Sequence, residues 1–175
     1  MSFEEQVMSE YSSFDQMDNN AGALPDCPGS LIILLRNKKI CDALFPNVQF
    51  HYLHGLPIIY IGITNIGILN RYMEHFHGTA RSSTLRKSIG ALFHWHDYRV
   101  IMVGNRYRFD DSHENELTEW MKENLLFLYK SALPDVDLNI CKQYLIQELN
   151  PPLNIGMNHN QINSQFREDL TMMRG

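Results

Sequence analysis

Arg71 and His75 are the pair that first invites a chemical reading. The run from Leu69 to Phe76 predicts a helix, and at i and i+4 the guanidinium and the imidazole project from one face of it. They open the most basic part of the chain. Residues 71–108 hold Arg71, Arg81, Arg86, Lys87, Arg99, Arg106 and Arg108 against only Glu74 and Asp97, a local excess of five positive charges. Such a footprint suits a phosphate backbone, and equally a solvated basic face with no partner. Two His-x-His pairs, His75/His77 and His94/His96, raise transition-metal ligation. On a helix, i and i+2 diverge by about 200°, so a four-histidine cluster is not expected. His94-Trp95-His96 reads instead as a helix end with a core tryptophan, the alternative being an aromatic patch that stacks unpaired bases.

These residues need elements to hold them. Val48 to Leu53 and Pro57 to Ile63 are rich in Ile, Tyr, Phe and Val and flank His54-Gly55, which predicts a β-hairpin carrying Tyr60-Ile61-Gly62. Leu31 to Leu35 suits either a helix turn or a buried strand, and residues 36–47 suit a helix and loop closed by Pro46-Asn47. Ser82-Ser83-Thr84 offers N-cap hydroxyls for a helix to about Phe93, with Arg86 and Lys87 on its polar side. Arg99 to Val103 and Arg106 to Phe109 make a second strand pair turning at Gly104-Asn105. Asp111 to Glu114 has capping-box spacing, and Leu117, Trp120, Met121, Leu125 and Leu128 predict a helix reaching about residue 131. A late helix from about Asp137 to Leu149 stops before Pro151-Pro152. The expected fold is α/β, a small and mostly antiparallel sheet flanked by helices.

Composition bounds the rest. A chain of 175 residues with 44% hydrophobic content fits one domain with short tails. The boundaries expected are an acidic, mobile or loosely docked segment at 1–26, a domain at 27–155 and a polar, ragged tail at 156–175. Of the 20 acidic residues, Glu4, Glu5, Glu10, Asp15, Asp18 and Asp26 fall in the first segment, which has no Lys or Arg. The net charge of −5 therefore hides a remainder of 15 basic and 14 acidic side chains. Cys27, Cys41 and Cys141, with no CxxC, predict buried reduced thiols rather than disulfides or a zinc knuckle. No apolar run approaches a bilayer span and no signal peptide is evident, so a cytoplasmic address without a membrane partner is expected.

Tyr60-Ile61-Gly62, then Arg71-x3-His75, then Gly78 to Ser88 as "GTARSSTLRKS", then Leu145-Ile146 followed by Pro151-Pro152-Leu153-Asn154, resembles the GIY-YIG nuclease superfamily and its small stand-alone bacterial members. The resemblance covers roughly residues 48–154. It implies hydrolysis of nucleic-acid phosphodiesters, DNA foremost, with one divalent cation, Mg²⁺ or Mn²⁺. It gives Tyr60 the task of orienting or deprotonating the attacking water, Arg71 that of stabilising phosphate charge, and His75 that of a proton relay or hydrogen-bond partner. Asn154 would support the phosphate end of the pocket, and Arg81, Arg86 and Lys87 would form the substrate-binding surface.

Two positions depart from the family pattern. Counting back about ten residues from Tyr60 puts Phe50 where the tyrosine of GIY belongs, with Tyr52 the nearest phenol. Three residues before Leu145-Ile146, where the metal-binding glutamate belongs, stands Lys142. A protonated lysine has no lone pair for a cation and repels it. Glu148 points about 120° away from the Lys142 direction, and Glu74 is a weaker substitute still, so no residue is assigned as a metal ligand. Two functions stay open: a metal-dependent endonuclease, or a catalytically impaired module of the same fold that binds nucleic acid or a protein partner.

Overall fold

The computed structural model describes Gln6, residues 9–17, 19–94 and 100–175. Its centre is strand β2 (Gly29–Leu35), every residue of which is buried. A strand covered on both faces reads as a continuous apolar run, and Ser30-Leu31-Ile32-Ile33-Leu34-Leu35 is one. Strand β4 (Leu56–Thr64) pairs antiparallel with it from Gly29↔Thr64 to Leu34↔Ile58, with a bulge between Ile33 and Leu34. Strand β7 (Leu125–Ser131) pairs antiparallel on the other side. Strands β1 (Ser12–Phe14) and β3 (Tyr52–Leu53) complete the order β1-β7-β2-β4-β3. The α/β class and antiparallel sheet expected from the sequence are what the chain adopts.

Helices cover both faces of the sheet. Leu31, Ile33, Leu35, Tyr60 and Phe127 pack against helices α2 (Ile68–Phe76), α3 (Thr84–His94) and α4 (Asp111–Asn124), preceded in the chain by the four-residue α1 (Cys41–Leu44). On the opposite face Ile32, Leu34, Ile58, Ile61 and Leu128 meet Leu145, Ile146 and Leu149 of α5 (Leu138–Leu149). Strands β5 (Val100–Val103) and β6 (Arg106–Phe109) form a separate hairpin, with Gly104 at φ 66° in its turn. Among the described residues no helix is long and apolar enough to cross a membrane. Cys27, Cys41 and Cys141 are free thiols of intermediate exposure rather than fully buried ones. His96, Trp95 and Arg99 lie outside the described residues.

Three stretches take on a definite form. The helix expected to reach about residue 131 ends at Asn124, and Leu125-Leu126-Phe127-Leu128 is strand instead. Gln16 stabilises that break: its amide donates to the carbonyls of Met121, Lys122 and Leu125 at 3.3, 3.2 and 2.6 Å, satisfying groups a helix end leaves open. The cap also differs by one residue, since the Asp110 carboxylate accepts from His113 N at 3.0 Å. Second, much of residues 1–26 is docked: β1 adds to β7, Phe14 sits edge-on to Tyr72 at 5.1 Å, and Asp15 pairs with Arg36 at 2.6 Å. Third, the expected C-terminal tail contains helix α6 (Ser164–Arg174), which packs on α3. Arg167 of α6 is 5% exposed and donates to Asn150 Oδ1 and to the carbonyls of Ile162 and Asn160.

One buried ion pair joins the helical layer. Arg86 is 0% exposed, and its guanidinium reaches Glu114 Oε2 at 2.8 and 3.1 Å, the carbonyls of Glu114 and His75 at 2.7 and 3.2 Å, and Thr118 Oγ1 at 2.9 Å. Arg86 is therefore removed from the expected substrate-binding surface, because every one of those contacts faces inward. Glu114 Oε1 accepts from Ala80 N at 2.8 Å and Phe109 N at 3.1 Å. Glu114→Ala is expected to cost roughly 3–5 kcal/mol in urea unfolding, because it strands a buried guanidinium, with Glu114→Gln costing less. A loss below about 1 kcal/mol for Glu114→Ala, the size typical of exposed pairs, would contradict that role.

Candidate functional site

Tyr60 lies on β4 where that strand has no long neighbour on its outer side, because β3 pairs only with Leu56 and Pro57. The Pro-Pro-Leu-Asn segment covers the gap. Leu153 N donates to Ile59 O at 3.0 Å, and the Asn154 side chain both accepts from Ile61 N and donates to Ile61 O at 2.8 Å. The buried amide thus does the work of a strand partner. Its polar atoms are committed to the backbone of the Tyr60-Ile61-Gly62 strand rather than turned toward a phosphate. Gly62 is closely packed, since a Cβ there would lie 2.9 Å from Leu31 Cδ1 and displace that side chain.

The Tyr60 hydroxyl stands 3.3 Å from Thr84 Oγ1, and its ring meets His75 edge-on at 5.6 Å. Ser83 caps α3, its hydroxyl accepting from Arg86 N at 3.1 Å, and also contacts His75 Nδ1 at 2.7 Å. His75 is fully buried, and its Nε2 has no hydrogen-bond partner among the described residues. Burial first, then the charges of Arg71 and Arg86, push its pKa down to about 3. The imidazole is neutral near pH 7, a packed hydrogen-bonding support rather than an exposed relay.

Arg71 is half-buried. Its Nε and Nη2 donate to Ile63 O at 3.3 and 3.2 Å and its Nη1 pairs with Glu74 at 2.6 Å. Beside Tyr60 opens a cavity of about 320 Å³ lined by Thr84, Lys142, Leu153, Asn154, Ile155, Gly156, Met157 and Arg174. Lys142, projecting from α5, has its pKa lowered by burial and then by the Arg71 charge. The same cavity receives Arg174 from α6, whose pKa burial lowers. The sequence offered Thr84 only as an N-cap hydroxyl and gave no sign of Arg174. Each is an unremarkable polar residue on its own helix, and only the docking of α6 on α3 brings them together.

The other candidates fall elsewhere. Arg81 is exposed and outside the cavity lining. Lys87 lies over the Tyr107 ring at 4.1 Å. Phe50 is not beside Tyr60: it packs on Phe45 at 5.6 Å and Tyr52 at 6.3 Å, and Tyr52 is 48% exposed. The residues facing the Tyr60 end of β4 are Ile33, opposite Tyr60, and Leu31, opposite Gly62. Residues 36–51 separate these two paired strands, and Phe50 lies in that excursion.

The cavity's side chains offer a phenol, a hydroxyl, an amide, an ammonium and a guanidinium, a set that does not fit a divalent ion. Magnesium is held through carboxylate oxygens and is repelled by neighbouring cations. No group of three or more His, Cys, Asp or Glu placed to hold a metal occurs among the described residues.

Two outcomes test this geometry. Asn154→Ala should speed hydrogen exchange at the Ile61 amide, which loses its acceptor; unchanged protection would refute the edge-capping role. The His75 imidazole should show no titration by NMR between pH 8 and 5. Its folded pKa lies below the unfolded value, so this group's contribution to stability falls as pH drops through about 6.5 toward about 3. A His75 resonance titrating near 6.5 would overturn the burial argument.

A family model described as the GIY-YIG catalytic domain matches residues 29–175. No curated protein and no solved structure matches the chain. The matched span opens on the first residue of the central strand and closes past α6, taking in Tyr60, Arg71, His75, Lys142 and Asn154. With its antiparallel sheet flanked by helices and a family match over most of its length, this chain belongs to the GIY-YIG catalytic domain family.

Proposed function

We propose that the chain binds the phosphodiester backbone of nucleic acid, in the first instance DNA, at the Tyr60 cavity, and that it does so without a divalent cation. Lys142 carries this reading. Its ammonium lines the cavity wall, the resemblance implies a metal-binding glutamate at that position, and the Arg71 charge acts on it. Two neighbouring cations cost free energy that a bound phosphate offsets. The lowered pKa of Lys142 sets a sign: affinity should weaken as pH rises through that lowered value, below the range of an ordinary lysine.

A metal-dependent endonuclease is the second reading, favoured by the packing of Tyr60 against His75 beside Arg71. Within it Tyr60 would orient water and Arg71 would meet phosphate charge. A protein partner would occupy the same basic surface in place of nucleic acid.

Plasmid nicking with Mg²⁺ or Mn²⁺, run beside DNA binding in EDTA, separates these. The expected result is binding in EDTA, no nicking, and roughly tenfold or greater loss of affinity in Arg71→Ala and Lys142→Ala, the size of one charge-assisted hydrogen bond. Nicking by the unmodified chain that disappears in Arg71→Ala would sink the non-cutting reading. Nicking gained in Lys142→Glu would show that the lysine alone withholds the ion.

A further inference from the structure

The cations around the cavity continue beyond it. Arg174 lies near Tyr60 and Tyr107, and its backbone carbonyl accepts from the Tyr107 hydroxyl at 2.8 Å. Lys87 lies over the same Tyr107 ring, and the charges that lower its pKa after burial are those of Arg174 and Arg106. Tyr107 therefore spaces three cations drawn from α3, α6 and β6. None of Lys87, Arg106, Lys142 and Arg174 forms an ion pair with a carboxylate among the described residues. The nearby Arg108, by contrast, pairs with Asp111 at 2.5 Å. Folding that assembles four uncompensated cations along one surface opposes their mutual repulsion, and a polyanion relieves it. A ligand with one phosphate fills the cavity and leaves Lys87 and Arg106 unmet. A ligand with several phosphates reaches all four.

We propose that a nucleic-acid backbone entering the Tyr60 cavity continues along Arg174, Lys87 and Arg106 to the small hairpin, so that the C-terminal helix is part of the binding surface. This rests on the phosphate-binding reading above. The ligand is a polyphosphodiester of several residues rather than a mononucleotide, and Arg174, Lys87 and Arg106 contact its backbone without reading bases.

The test is the salt dependence of affinity for a short random-sequence duplex DNA, and for single-stranded RNA of equal length, in EDTA. Arg174→Gln, Lys87→Ala and Arg106→Ala should each lower the slope of log K against log salt by roughly one on duplex DNA, with unchanged melting temperature. Lys122→Ala, whose ammonium pairs with Glu119 at 3.3 Å, is the control and should leave the slope alone. The exposed Arg106→Glu covers the case in which Arg174→Gln or Lys87→Ala perturbs packing. If affinity falls in Lys142→Ala while the slope holds in all the track variants, the track is refuted and the cavity reading survives. If the unmodified chain binds neither DNA nor RNA, both fail. A loss of slope on RNA alone reassigns the backbone from duplex DNA to RNA.

Discussion

The guanidinium of Arg86 and the carboxylate of Glu114 meet almost without water, and much of the helical layer is placed by that meeting. A charge this deep is tolerable only when each of its hydrogens and lone pairs is answered. The answers come from far apart in sequence: the carbonyl of His75 at the end of α2, Thr118 on α4, and the amides of Ala80 and Phe109. Ser83 caps the helix that carries Arg86 and touches His75 on its other side. The ion pair therefore governs the site at one remove. It holds no substrate, yet it fixes the imidazole on which the Tyr60 ring rests.

A second constraint acts at the sheet edge. Tyr60 lines a cavity at an edge of the sheet, and an exposed strand edge invites pairing with another chain. Asn154 answers this by offering one acceptor and one donor to Ile61. At Ile61 one side chain satisfies the edge, and the neighbouring phenol still lines the cavity. The segment that caps the strand also lines the pocket, so the stability of the edge and the shape of the site are not independent.

Much of this was legible from the chain. Tyr60, Arg71 and His75 were readable because spacing on a strand and a helix is local information. Lys142 was readable because the Leu145-Ile146 pair and the prolines fix its register on α5. The packing of Phe50 on Phe45 and Tyr52 was not legible, because it depends on the course of the irregular excursion between β2 and β4. Arg86 looked like a surface cation, since nothing near it in sequence announces Glu114 as its partner. Leu125 to Tyr129 continued an apolar pattern that a helix could also use, and only Gln16, far upstream, marks the break. The role of Arg174 depends on where α6 docks, and that follows from the buried Arg167 and Leu170 rather than from any motif.

The pairing of β1 with β7 has a consequence for how the chain comes to be folded. Ser12 faces Tyr129, so the outermost strand waits for a partner made more than a hundred residues later. Contacts of such long range are slow to form, and β2, apolar along its whole length, keeps one edge open during the wait. The acidic residues clustered in the first 26 positions then act on the nascent chain as much as on the finished one. Like charge beside an open apolar edge opposes its pairing with another unfinished copy.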